Sequence, residues 1–391
     1  MLYNPDSFEP LTDEPWDEAR VREAIQRIVS DADDAYDSDG LWPAHEWDVW
    51  GSSPPLKALY AGAGGMVWAL DALSRRGHAE TRVDLAAAAT RTLELGRAEP
   101  DLAAGEIELP STREASLLCG ETGVLLVAWR LAPGADLADA LLARVRENRA
   151  NEAEELMWGS PGTLLVAHAM HAWTGEERWA AAWRESADAL LARRDGGGLW
   201  TQDLYGNKRC FLGPVHGLVG IVHALLQGNG DHSEELRRDM AAILAREAVV
   251  EDGLANWPAL AGGELGSQDE IRLQWCHGSP GMVATAADYL DEDLLLAGAE
   301  LTWRAGAHGA EKGVGLCHGT AGNGYAFLKA FARTGDERWL ERARRFAVHA
   351  LAQAEAQPSR HSLFTGDVGA ALLASSCLDA DSRFPVVDTW D

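Results

Sequence analysis

Positive charge is scarce in this chain. Against 61 Asp and Glu stand 34 Lys and Arg, a formal net charge of −27 over 391 residues. Such a surface repels phosphate backbones and anionic lipid headgroups, which argues against nucleic acid and membranes as partners. Long apolar runs are missing as well. The longest, such as GVLLVAWRLA, fall well short of the roughly 20 residues that a membrane span needs. The first residues, MLYNPDSFEPLTDEPWDEARV, have neither the basic start nor the apolar core of an export signal, so a cytoplasmic location is expected. Cysteine is sparse, at 119, 210, 276, 317 and 377. An odd number, widely spaced, argues against a disulfide framework. No Pro/Ser-rich linker divides the chain. One domain over 1–391 is therefore expected, with a short extension at about 1–20 and a tail at about 379–391 that pack on it or dangle.

What is present is a repeat. A Gly-x-x-Gly pair followed at once by an apolar run occurs seven times, from Gly62, Gly120, Gly159, Gly217, Gly278, Gly319 and Gly366. Each is preceded by an amphipathic segment with helical periodicity, such as RWAAAWRESADALLARR or RWLERARRFAVHALAQA. TGEERW at 174–179 and TGDERW at 334–339 open two of these segments. Seven outer amphipathic helices alternating with seven inner apolar ones fit an all-α, seven-fold α/α toroid. An open solenoid would need polar capping repeats, and the terminal repeats are as apolar as the middle ones. The glycine loops should all open at one end of such a ring, with residues at matching offsets at matching height.

That register gathers an unusual set. Cys276 lies two before Gly278 and Cys317 two before Gly319. His277 and His318 follow them, and His216 directly precedes Gly217. Two thiolates with an imidazole suit tetrahedral Zn2+ better than Mg2+ or Ca2+, and three protein ligands leave a fourth position for substrate.

WCHGSPG at 275–281 and LCHGTAGN at 316–323 resemble the paired zinc motifs of the lanthionine-cyclase (LanC) family and its LanC-like relatives, a family of seven-fold toroids. The tail SLFTGDVGAALLASSCLDADSRFP and the HG of FLGPVHGLVG are similar to the LanC-like branch. The resemblance implies one Zn2+ held by Cys276, Cys317 and His318, with His277 not a ligand, and His216 as the acid/base group. It implies Arg272 for the arginine four residues before the first zinc cysteine of the cyclases. Their aspartate four before the third glycine pair is replaced here by Glu155.

The implied reaction adds a cysteine thiol to dehydroalanine or dehydrobutyrine. His216 has a near-neutral intrinsic pKa suited to moving the proton. Arg272 would stabilise the enolate oxygen electrostatically. The expected partners are a dehydroamino-acid peptide or protein, glutathione or a related thiol, and a separate dehydratase. Ring closure in a peptide and addition of an external thiol both fit. The alternatives are a non-catalytic zinc scaffold that binds thiols or peptides, or another α/α barrel. A glycosidase would want two carboxylates in the mouth, and a prenyltransferase a carboxylate zinc ligand; neither pattern appears at the glycine loops. His168, His171 and His223 are expected as core or channel residues, and Cys119, Cys210 and Cys377 as small buried ones.

Overall fold

The computed structural model describes residues 1–50, 52–102, 108–228, 232–263, 271–309 and 311–391. Among them lie fourteen α-helices, alternating between amphipathic and apolar members. The pairs are α1 (Glu18–Ala35) with α2 (Ala63–Arg75), α3 (Leu85–Ala98) with α4 (Glu121–Leu131), α5 (Ala135–Asn148) with α6 (Ser160–Thr174), and α7 (Glu177–Leu191) with α8 (Leu218–Leu226). They continue as α9 (Ser233–Glu247) with α10 (Ser279–Ala286), α11 (Glu292–Ala305) with α12 (Thr320–Thr334), and α13 (Glu337–Ala356) with α14 (Asp367–Asp379).

The two kinds of helix start differently. Asp17, Asp84, Asp291 and Asp336 cap amphipathic helices by accepting a main-chain N–H two or three residues on. The apolar helices α4, α6, α8, α10, α12 and α14 start on a glycine without a side-chain cap. Main-chain crowding explains the glycine pairs. Gly278 has φ +99°, and a Cβ there would stand 2.0 Å from the carbonyl oxygen of Arg272. A Cβ on Gly322, the second of its pair, would stand 1.8 Å from that of Leu316. Only glycine permits that approach.

The TG(E/D)ERW echo is a helix-to-helix turn built twice. Gly175 and Gly335 are left-handed C-caps, at φ +67° and +69°. The hydroxyls of Thr174 and Thr334 bond back to the Met170 and Ala330 carbonyls at 2.7 Å each. Trp179 and Trp339 then plug the core, both nearly inaccessible.

Contacts divide the chain into two compact units. In the first (Met1–Tyr36, Trp68–Val83 and Ala241–Asp391), α10 packs on α12 and α12 on α14, with α11 and α13 interleaved and α1 against α13 and α14. In the second (Asp37–Val67 and Asp84–Met240), α4 lies between α3 and α5, and α6 packs on α5, α7 and α8.

Six short strands among the described residues, which the helical reading did not anticipate, are β1 (Phe8–Glu9), β2 (Gln202–Leu204), β3 (Asn207–Arg209), β4 (Val249–Glu251), β5 (Leu254–Asn256) and β6 (Ala307–His308). They pair antiparallel as β1–β6, β2–β3 and β4–β5. The last two pairs are hairpins turning on Tyr205-Gly206 and Asp252-Gly253. All four of those residues have positive φ, the twist that two-residue hairpin loops favour.

Both chain ends are packed within the first unit. Leu2 joins a cluster with Leu273 and Leu301, and Asn256 Nδ2 donates to the Leu2 carbonyl at 2.6 Å. At the other end Phe384 stacks on Trp275 with ring centroids 4.2 Å apart. No helix among the described residues is long and apolar enough to cross a membrane.

Candidate functional site

Before the glycine pairs at Gly62, Gly120, Gly278 and Gly319, the residue two before the pair carries a main-chain bond to the next repeat. In the first unit, Cys276 N–H donates to the Cys317 carbonyl at 3.3 Å, and Cys317 N–H to the Phe364 carbonyl at 2.8 Å. In the second, Tyr60 donates to Leu118 at 2.8 Å and Leu118 to Met157 at 3.3 Å; one residue earlier, Leu156 donates to Val215 at 3.0 Å. At those four pairs matching offset thus does mean matching height, and the link from Leu156 to Val215 is shifted by one residue. The two cysteines are neighbours on one such ladder.

Their side chains converge with that of His318. One ligand atom from each of Cys276, Cys317 and His318 lies within 4.8 Å of the others, the one such group of three among the described residues. Cys317 Sγ and His318 Nε2 are 3.6 Å apart. Both cysteines are buried, while His318 is partly accessible. Burial pushes the Cys276 thiol up, but the hydrogen bond with Cys317 and the imidazoles of His318 and His277 draw it well below the ordinary thiol value. Cys119 and Cys377, also buried, are pushed the other way, up. Two buried sulfurs, that of Cys276 biased toward thiolate, beside an imidazole suit a soft-to-borderline dication. The residues fit zinc.

His277 lies outside this group. Its main chain exchanges bonds with Gln274 at 3.0 and 3.1 Å, closing a tight turn around Cys276. Gln274, buried, donates its Nε2 to Cys276 Sγ at 2.9 Å. Arg272 is exposed; its carbonyl accepts from Asn256 Nδ2 at 3.2 Å.

The second unit holds a dyad. His216 Nδ1 lies 2.9 Å from Glu155 Oε2. Glu155 is fully buried, and it also accepts the N–H of Met157 at 3.0 Å and of Trp158 at 2.5 Å. A glutamate is long enough to close that turn and still reach the imidazole, which accommodates the extra methylene at this position. Its carboxylate sets the His216 tautomer, with the proton on Nδ1 and the lone pair on Nε2. The rings of Tyr205 and Phe211 flank His216 at 6.3 and 6.2 Å, and Tyr205 Oη accepts from Trp158 Nε1 at 2.9 Å.

Sequence reasoning missed Tyr205 and Gln274. Only the Tyr-Gly turn could have pointed to the first. Gln274 had no signal beyond standing two before Cys276. Cys119 and Cys377 are buried as expected, whereas Cys210 is half-buried, beside Thr201 Oγ1 at 3.6 Å, because it follows the exposed strand β3. His168 and His171 are partly accessible and His223 is buried. Burial lowers the pKa of His168.

The model of the lanthionine synthetase C-like protein family matches residues 53–389. Over 192 residues the chain is 31% identical to LanC-like protein GCL1 of Arabidopsis thaliana, covering 45% of this chain and 42% of that protein. Over 201 residues it is 30% identical to Glutathione S-transferase LANCL1 of Danio rerio, covering 48% and 46%. The chain thus spans under half the length of these curated relatives. The structure of nisin cyclase matches 91% of this chain and 94% of its own, with a TM-score of 0.59 at 15% identity. At that identity the likeness is one of fold, and the fold is the α/α toroid. With its family model spanning most of the repeats, the chain belongs to the lanthionine synthetase C-like family.

Proposed function

We propose that this protein is an enzyme that adds a thiol to dehydroalanine or dehydrobutyrine, forming a thioether, with one Zn2+ held by Cys276, Cys317 and His318. The convergence of those three side chains within 4.8 Å carries the reading. Zinc, when bound, would supply the Lewis acidity that makes a substrate thiol a thiolate at neutral pH. In the net reaction an S–H adds across a Cα=Cβ bond. A bond forms from sulfur to Cβ, the π electrons move toward the carbonyl, and the proton ends on Cα. Nothing is oxidised or reduced.

His216 suits the proton traffic, accepting the thiol proton and protonating the enolate at Cα. Glu155 keeps the imidazole in the tautomer that can do so and stabilises its charged form. Arg272, exposed and cationic, is assigned to the enolate oxygen. The pairing of partly accessible His216 with buried Glu155 favours catalysis over a scaffold that merely binds thiols, because binding alone does not need an oriented imidazole. The substrate class is a peptide or protein carrying a dehydroamino acid, which a separate dehydratase would make.

Between an external thiol and ring closure, the external thiol is preferred. The LanC-like character of the tail supports it, and so does the name of the zebrafish relative, a glutathione S-transferase. The test incubates a dehydroalanine peptide lacking cysteine with glutathione. Zinc-loaded protein should add the thiol's mass, and chelated or Cys317→Ala protein should leave only the slow background. Background rate alone, alongside a cysteine-containing dehydroalanine peptide that resists alkylation without changing mass, would assign ring closure instead. Inactivity on both peptides with zinc present would leave the scaffold.

A further inference from the structure

Residues 272–278 are held at several points before any side chain reaches the candidate metal centre. The Arg272 carbonyl accepts from Asn256. The Leu273 carbonyl accepts from Asn323 Nδ2 at 3.2 Å and sits 2.9 Å from His308 Nε2. Gln274 and His277 then exchange both main-chain bonds. The Cα of Gln274 is therefore fixed, and its buried amide ends 2.9 Å from the sulfur of Cys276.

We infer that Gln274 is a positioning residue of this centre, whose amide N–H locks the Cys276 sulfur in place and draws charge from it. The inference rests on the metal reading above. A thiolate sulfur only accepts hydrogen bonds, so the NH2 edge of the amide faces it, and the carbonyl edge would set two negative ends together. Being neutral, the amide polarises the sulfur without competing for the metal's place, as a lysine would. Hydrogen-bonded thiolates donate less charge to a metal, and their lone pairs lie lower in energy. Groups behind a ligand act on a metal in this way, by orienting the ligand and setting its donor strength. Gln274 has no other assigned part: it is neither a ligand nor a proton carrier, yet it is buried, at 5% exposure.

The experiment replaces zinc by Co2+ in the full chain, because cobalt reports sulfur ligation through a charge-transfer band. Gln274→Leu removes the donor at similar volume, and Gln274→Met does so with a more flexible side chain should the leucine pack badly. In either variant the band should move to longer wavelength, since the sulfur lone pairs rise. Metal affinity in competition with a chelator should fall by about 10–100-fold, with an unchanged far-UV spectrum. Gln274→Glu, which sets a carboxylate against the sulfur, should lose more metal than either. A folded Leu or Met variant with the parent's band and affinity would overturn the role of Gln274 while leaving the metal reading intact. A parent chain that takes up no sulfur-ligated cobalt would overturn both.

Discussion

At the scale of single residues, a carboxylate with no exposed surface is tolerable only if its oxygens are spoken for, and Glu155 meets that condition. Two main-chain N–H groups and one imidazole meet its two oxygens. His216→Ala should therefore keep its metal yet lose thioether formation by about 10²–10⁴-fold, the scale of a positioned acid/base group. Glu155→Gln should also cut the rate without changing zinc content; unchanged turnover in a metal-replete variant would remove the dyad from the reaction. The ligand assignment makes a separate demand. Cys276→Ala, Cys317→Ala and His318→Ala should each sharply lower zinc by elemental analysis, whereas His277→Ala should not. A reversal between the two histidines would mean that the imidazole was assigned to the wrong Cys-His pair. The Glu155 contact was not legible beforehand. A glutamate four before a glycine pair reads as a poor copy of an aspartate until the turn at Met157 and Trp158 shows where its extra methylene goes.

Among the elements, the helices were legible because a glycine pair announces each apolar one and periodicity each amphipathic one. The strands were not, since two or three residues are too few to show alternation. Asp252-Gly253 is a hairpin signal in its own right, but the flanking segments VVE and LAN are short enough to pass for loop. The glycines are not equivalent either, and unfolding in urea should rank them. Gly335 is a left-handed cap with open space where a Cβ would go, so Gly335→Ala should cost about 1–2 kcal/mol. At Gly322 a Cβ meets the Leu316 main chain, and nothing there is a flexible side chain that could yield. Gly322→Ala should exceed about 4 kcal/mol, and should distort the loop that carries Cys317. Equal costs at the two positions would show that the crowding is relieved at low energy.

For the molecule as a whole, acid should act through the packed N-terminal segment. The His308 ring lies 4.4 Å from that of Phe8 on β1, and its Nε2 bonds the Leu273 carbonyl. Burial above all pulls its pKa from 6.5 to about 4, and Lys312 and His318 act in the same direction. An unfolded chain takes up this proton near 6.5, and the folded chain resists it until about 4. Between those values the unfolded state binds more protons. Stability should thus fall as pH drops across that window, by on the order of 3 kcal/mol from this group. Urea midpoints at pH 7 and pH 4.5 should show the loss, and His308→Gln should show less of it; equal slopes would clear His308. The main-chain ladder has a different consequence, one of portability. Leu118 and Met157 stand in the same 3.3 Å relation as Cys276 and Cys317. Trp158 follows Met157 as His318 follows Cys317, and Ser116 precedes Leu118 by the same interval as Gln274 precedes Cys276. The metal-binding triplet is therefore a cassette that the backbone could accept at another address. Leu118→Cys, Met157→Cys and Trp158→His together should raise the cobalt content from one to two per chain. A content that stays at one would mean that spacing alone does not make a site, and that the orienting amide has to travel with it.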